Sequence, residues 1–252
     1  MSRIRSAVVL ALAALVAVPA LAEEAAPAKQ DWSFSGIFGT YDRAALRRGF
    51  QVYHDVCSAC HSLSRVRYRD LQEIGFSEDE AKALAAEKKV TDGPNDQGQM
   101  FERPARLADA IVPPFANEPL ARLANNGALP PDLSLIVKAR KGGADYVDAI
   151  LNGFVDAPPD VKIPDGMFYN KAFPDPHAIA MPPPLADGVV TYADKTPATV
   201  PQMAHDVVTF LNWAAEPELE ARKKMGLRVM IYLVLLTAML YAVKRKVWSK
   251  LH

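Results

Sequence analysis

Cys57-Ser58-Ala59-Cys60-His61 is the stretch around which the chain is read. Two cysteines three apart, followed at once by histidine, form the attachment signature of a c-type haem. The spacing has a chemical reason. Each thiol can add across one vinyl group at the porphyrin edge, and the imidazole of the next residue then lies beneath the ring, where it can bind iron. The alternatives are a Cys-x-x-Cys redox pair or a plain disulfide in an exported protein. Against them, Cys57 and Cys60 are the only cysteines in 252 residues, and His61 directly follows the second. No βαβ pattern surrounds them. Zinc lacks the second cysteine pair or the spaced histidines that would complete four ligands.

Outward from this motif, the two ends of the chain read as membrane-directed. Residues 1–22 have the form of a cleaved secretory signal: Arg3 and Arg5, an apolar run from Ala7 to Val18, and the small-residue end Ala20-Leu21-Ala22. Export suits covalent haem, which is attached outside the cytoplasm. Gly226 to Val243 is a run of eighteen residues whose one charge is Arg228, long enough to span a bilayer. Tyr232, Tyr241 and Trp248 are candidate interfacial anchors. Lys and Arg flank both sides of the run equally, so orientation rests on the signal, which leaves the bulk of the chain outside.

The expected organisation is therefore a signal at 1–22, a haem domain at 23–220, and an anchor with a short cytoplasmic tail at 221–252. The formal net charge of zero hides an asymmetry. Residues 23–220 hold all 29 acidic residues but 19 of the basic ones, a net charge of −10. Such a surface argues against nucleic acid and attracts basic soluble partners in a salt-dependent way. Twenty prolines with 8% aromatics indicate long, stiff loops rather than a β-sandwich.

Local signals place the helices. Asp42 caps a helix carrying Ala45, Leu46, Gly49, Phe50 and Tyr53 at helical spacing, leading into the haem motif. Gly49 is compatible with close approach of another helix and equally with a solvent-facing position. Arg65 to Leu71 reads as basic and helical. Ser77 to Lys89 opens with a capping box, Ser77 and Glu80. Its Glu78-Asp79-Glu80 run suits a helix N-terminus, so local stability accounts for these charges without a docking partner. Thr91 to Gln99 is turn-rich. Asn125 to Ser134 is a loop expected to enter a helix through Leu135, Ile136 and Ala139, capped by Asp132 or Ser134. Tyr146 to Leu151 is a further short helix. Asp156 to Pro201 is proline-punctuated loop, long enough to imply a role. The last soluble helix starts near Pro201 and ends by Pro217.

His61 supplies one axial ligand, and several residues compete for the other: Met100, Met167, Met181, Met203, Met225, His177 and His205. Met181 is favoured because it precedes three prolines, Pro182 to Pro184, which fix φ and can hold a thioether at low entropic cost. His177 is its main rival. Methionine opposite histidine stabilises ferrous iron and fills the sixth site, which is electron-transfer rather than oxygen chemistry.

Taken in order, these segments resemble the cytochrome c1 family. The resemblance is carried by Gly49-Phe-Gln-Val-Tyr53 before the haem motif, Arg67-Tyr-Arg-Asp-Leu71, Ala124-Asn-Asn-Gly-Ala-Leu-Pro-Pro-Asp-Leu-Ser134 and Lys138-Ala-Arg-Lys-Gly-Gly-Ala-Asp-Tyr146. Ile179-Ala-Met-Pro-Pro-Pro184, Asn212-Trp-Ala-Ala-Glu-Pro217 and Lys244-Arg-Lys-Val-Trp248 complete it. It implies an all-α c-type cytochrome domain with long proline-rich loop insertions and one C-terminal transmembrane helix. One haem c is held covalently by Cys57 and Cys60, with His61 and Met181 on its iron. Arg140 and Tyr146 match positions near a propionate, and Asn125, Ala128, Pro130 and Pro131 line the haem edge. The implied work is electron transfer inside a cytochrome bc1 complex, with cytochrome b and a Rieske iron–sulfur protein as partners and a soluble cytochrome c as acceptor. The implied location is the bacterial cell membrane, haem domain on the periplasmic side. A free-standing membrane-tethered cytochrome c serving an oxidase is the alternative. The chain lacks the extra cysteine pair found near the methionine loop in some bacterial relatives, and its Phe173-Pro-Asp-Pro-His177 run is unusual.

Overall fold

The computed structural model describes residues 27–249, so the expected signal at 1–22 lies outside the described residues. Helix α1, Arg43–Asp55, begins where Asp42 accepts hydrogen bonds from the backbone of Ala44 and Ala45. It buries Ala45, Leu46, Gly49, Phe50, Val52 and Tyr53 on one face and delivers the chain into a 3-10 turn at Cys57–Ala59. A second 3-10 helix, Tyr68–Ile74, replaces the regular helix expected over 65–71. Its first amides are drawn sideways, Tyr68 to the Asp109 carbonyl and Arg69 to Leu107, which leaves them unavailable for a longer helix. Helix α2, Glu78–Ala86, carries the full capping box between Ser77 and Glu80.

The fold departs from the all-α expectation in two places. Strand β1, Lys89–Asp92, pairs antiparallel with β2, Phe101–Pro104, so the helix expected to run to Lys89 stops early. Arg103 explains the pairing: its guanidinium holds Asp92 across the hairpin and Asp109 beyond it, the latter at 2.6 and 3.1 Å. Strands β3, Phe168–Tyr169, and β4, Ala178–Ile179, form a second small antiparallel pair inside the long loop. Between them, helices α3, Glu118–Ala124, and α4, Gly143–Leu151, are short. The helix expected after Ser134 is instead a run of turns. The Leu133 amide is committed to the Ser62 carbonyl, and the Asp132 carboxylate, a would-be cap, is shared with the 62–64 segment.

The core forms where α1 crosses α5, Val200–Ala215, a helix capped by Thr199 with Pro201 in its first turn. Phe50 meets Phe210 edge-on at 5.6 Å, and Phe210 stacks on Trp213. Gly49 sits at the crossing itself. A Cβ placed there would fall 2.0 Å from the Asp206 carbonyl oxygen and 2.8 Å from Phe210 Cβ. Close approach, not solvent exposure, is thus the reason for this glycine. Backbone cannot yield as a side-chain tip can, so Gly49→Ala is expected to destabilise the domain by about 3 kcal/mol, the upper range for overpacking. Denaturant unfolding followed by circular dichroism measures it.

Beside the glycine, Arg48 reaches across to α5 with a bidentate grip on Asp206, at 2.9 and 3.0 Å. Asp206 is wholly buried, and Gln202 donates to it as well. Arg48 also binds the more exposed Asp194 at 2.8 Å. Helix α6, Leu219–Trp248, follows as a single 30-residue rod, about 45 Å long at 1.5 Å per residue. Its apolar window has a mean hydropathy of 2.0 and no buried residue, the pattern of a candidate membrane span. Lys244 lies 4.7 Å from the Trp248 ring near its C-terminal end.

Candidate haem site

The site begins with the end of α1. The Cys57 carbonyl accepts from both Cys60 N and His61 N, at 3.1 and 2.9 Å, winding the motif into one tight turn. Ser58 Oγ caps the helix by donating to the His54 carbonyl at 2.6 Å. Tyr53 pins the far end, its hydroxyl donating to the His61 carbonyl. Both thiols are free, Cys57 half-buried and Cys60 exposed. Burial, with Cys60 close by, pushes the Cys57 thiol up to about 12, so it is held as the neutral thiol at physiological pH.

His61 is oriented by a segment seventy residues away. Its Nδ1 lies 2.8 Å from the Pro131 carbonyl oxygen. A carbonyl can only accept, so Nδ1 carries the proton and Nε2 presents its lone pair. Burial depresses the imidazole pKa and outweighs the hydrogen bond to Pro131, which favours the neutral, ligating form. The 131–134 segment is clipped to 62–65 by further bonds. Asp132 Oδ2 accepts from Ser62 Oγ at 2.8 Å and Ser64 N at 2.9 Å, Leu133 N donates to the Ser62 carbonyl, and Arg65 N donates to Ser134 Oγ. Partial burial works to raise the Asp132 carboxyl, but the bonds from Ser134 and Ser64 prevail and hold it at about 2. Asp132→Ala removes three of these bonds, two of them from backbone amides. The expected loss is about 1–3 kcal/mol of domain stability, measured as a lowered thermal midpoint of the haem-loaded, detergent-solubilised chain.

Against this clip lies a cavity of about 260 Å³. Cys60, Pro130 and Pro131 line it, facing Pro113, Phe115 and Ala121 from the other side. The residues fit a covalently held haem: free thiols on one turn, Cys60 at the cavity wall, and the adjoining His61, itself outside the cavity lining, whose Nδ1 is fixed and whose Nε2 is unprotonated. Apolar and proline walls suit a porphyrin face.

The other sequence-predicted residues are placed less directly. Asn125 ends α3, its amide donating to the Ala121 carbonyl at 2.7 Å, and Ala128 follows in the same turn. Neither lines this cavity. Arg140 is exposed and donates to the neighbouring Ala139 carbonyl. Tyr146 is half-buried on α4. Met181 is half-buried just beyond β4 and is not among the residues lining the cavity. Its rival His177 is turned to its own loop, with Nδ1 at 2.5 Å from the Phe173 carbonyl oxygen.

Two organising residues escaped the sequence reading. From sequence Asp132 reads as a helix cap, although an aspartate two residues before an N–H that can donate to it is also a recognisable turn signal. Asn170 is fully buried, donates to the Ile150 carbonyl at 2.7 Å, and accepts from Ala172 N, fixing the start of the methionine loop on α4. The Glu78–Glu80 cluster is engaged locally. Glu78 meets Lys82 at 2.7 Å, and Glu80 accepts from Ser77 N and Arg47.

Comparison with known proteins gives the site its relatives. Residues 32–251 match the model of the Cytochrome C1 family. Cytochrome c1 of Rhodospirillum rubrum is 52% identical over 236 residues, covering 87% of this chain and 86% of its own. A mitochondrial cytochrome c1 of Arabidopsis thaliana, named a heme protein, is 52% identical over 222 residues, 87% of this chain and 71% of its own. The mitochondrial cytochrome b-c1 complex catalytic subunit of Candida albicans is 51% identical over 224 residues, 88% of this chain and 77% of its own. The match runs from Trp32, ahead of the haem turn and its proline clip, through the long terminal helix, and the chain belongs to the cytochrome c1 family.

Proposed function

We propose that this chain is the electron-transfer subunit of a cytochrome bc1 complex, passing single electrons from a Rieske iron–sulfur protein to a soluble cytochrome c. The observation that carries the reading is the His61–Pro131 bond beside the two free thiols, which readies one imidazole nitrogen for iron next to two attachment points. Bound haem supplies a one-electron iron couple. Cys57 and Cys60 hold it covalently, one haem c per chain. His61 would ligate its iron, with Met181, on its proline-stiffened loop, as the second ligand. With both positions filled, the chain does no bond chemistry itself; quinol oxidation belongs to the whole assembly. Pro130, Pro131, Asn125 and Ala128 shield the haem edge, and Arg140 with Tyr146 serves the propionates through a charge-assisted pair.

The same reading divides the chain into a cleaved signal (1–22), a periplasmic domain (23–220) and an anchor in the cell membrane (221–252) beside cytochrome b. The acidic excess of the haem domain steers a basic acceptor to it. The test is mild detergent extraction through a tag on this chain. Co-purifying b-type haem with quinol-driven cytochrome c reduction is the expected result. A chain that emerges with c-type haem alone under several mild detergents contradicts it and favours the tethered shuttle.

A further inference from the structure

The segment between Trp32 and Tyr41 has two opposite faces. Trp32, Phe34 and Tyr41 are buried and pack together, Trp32 stacking on Phe34 at 5.4 Å and Phe34 lying 5.5 Å from Tyr41. Between them the chain folds back on itself, Thr40 N donating to the Ser33 carbonyl. Gly39 permits this return, because a Cβ there would fall 2.0 Å from the Ser35 carbonyl oxygen. At the tip, Ile37 and Phe38 are 76% and 73% exposed, while the chain on either side is sunk in the core.

The loop is tied to the root of α6. Tyr41 N donates to Glu220 at 2.8 Å, and Arg43 pairs with the other oxygen of Glu220 at 2.9 Å. One turn further along α6, Lys223 Nζ donates to both sides of the loop's neck, the carbonyls of Phe34 at 2.6 Å and Gly39 at 3.1 Å. From Tyr41 back to Gly39, the attachment points climb α6 from Glu220 to Lys223, toward the apolar run that starts at Gly226. The tip, residues 35–38, hangs from this neck, which is fastened three residues before the run begins. Lys224 and Arg228 are exposed on the same stretch of helix. Apolar side chains held beside a helix root that carries exposed cations match the headgroup boundary of a bilayer.

We infer that Ile37 and Phe38 form a second membrane contact, inserting into the lipid interface beside the point where α6 enters the bilayer. This rests on the reading of α6 as a membrane span. A single helix leaves a domain free to swivel about it. A second contact, clamped to that helix through Lys223 and Glu220, sets the tilt of the haem domain over the membrane surface.

The test is nitroxide labelling of the full, haem-loaded chain in phosphatidylcholine–phosphatidylglycerol vesicles. On the proposed covalent attachment, haem occupies both native cysteines, so the unmodified chain takes no label and each variant takes one. Power saturation is then compared for Phe38→Cys, Leu235→Cys in the middle of α6, and Asp79→Cys on an exposed side chain of α2. The expected result is oxygen accessibility above that of an aqueous nickel chelate at positions 38 and 235, with the ratio inverted at 79. A water-like ratio at 38 with a lipid-like ratio at 235 overturns the loop insertion and leaves the span intact. A water-like ratio at 235 overturns the span and the inference with it. A label at 38 shielded from both reagents overturns lipid as the occupant, since protein then covers the tip.

Discussion

Arg48→Leu is expected to destabilise the haem domain by about 3–5 kcal/mol, the cost of removing one partner from a buried ion pair. The reason is the solvation of Asp206. Its carboxylate has no exposure, and two of its hydrogen bonds come from the Arg48 guanidinium at 2.9 and 3.0 Å. Without them the group keeps the Gln202 amide, far short of the hydration that a carboxylate has in water. Asp194 does not share the loss equally, since its side chain is 44% exposed and water can replace Arg48 there. The double variant Arg48→Leu with Asp206→Leu is therefore expected to recover much of the stability, because no unpaired charge remains inside. Denaturant unfolding of the single and double variants measures both effects. Equal destabilisation of the two would show that shape at the α1–α5 crossing, rather than charge compensation, governs the site.

The second large effect is functional. Met181→Leu is expected to keep covalent haem, since Cys57 and Cys60 are untouched, but to lower the midpoint potential by on the order of 0.1 V or more. On the proposed ligation, loss of the thioether removes the ligand that favours ferrous iron and opens a coordination position. The reduced variant is expected to bind carbon monoxide readily at neutral pH, and the wild-type chain to resist it. His177→Phe serves as the companion. Its ring nitrogen already faces the Phe173 carbonyl, so the potential is expected to stay near the wild-type value. A large shift in the histidine variant with none in the methionine variant would reverse the ligand assignment.

The features legible from sequence are those whose causes are local. Asp42 and Ser77 act on amides two or three residues away, and Pro201 suits a first turn, so the starts of α1, α2 and α5 follow from short patterns, although the cap at Thr199 is seen only in the structure. The length and apolar character of α6 follow from the run at 226–243, whose one charge is Arg228. Features set by distant partners could not be read. The role of Gly49 depends on a carbonyl at Asp206, and the clip that aims His61 joins residues about seventy apart. The turns after Ser134 show the conflict directly. Helical spacing is present in Leu135, Ile136 and Ala139, but tertiary bonds at Asp132 and Leu133 claim the groups that would start the helix. The β1–β2 hairpin was hidden for a similar reason, since Arg103 joins Asp92 and Asp109 only once the strands have met.

These non-local contacts bear on function because they surround the haem turn. Pro131 and Asp132 act on His61 and its immediate neighbours from about seventy residues away, while Tyr53 adds a bond from the last turns of α1. The proline pair at 130–131 does two jobs. It walls the cavity and presents a carbonyl, free of competing backbone geometry, to one imidazole nitrogen. The haem turn thus sits on a frame built from α1 and the 131–134 segment. Met181 lies on a separate loop, whose start is anchored by Asn170.

The most direct test of the central claim is X-ray absorption at the iron edge of the purified, reduced, haem-loaded chain. The account predicts six-coordinate iron with five nitrogen neighbours and one sulfur, and loss of the sulfur shell in Met181→Leu. Six nitrogens, or a five-coordinate iron in the wild-type chain, would contradict it.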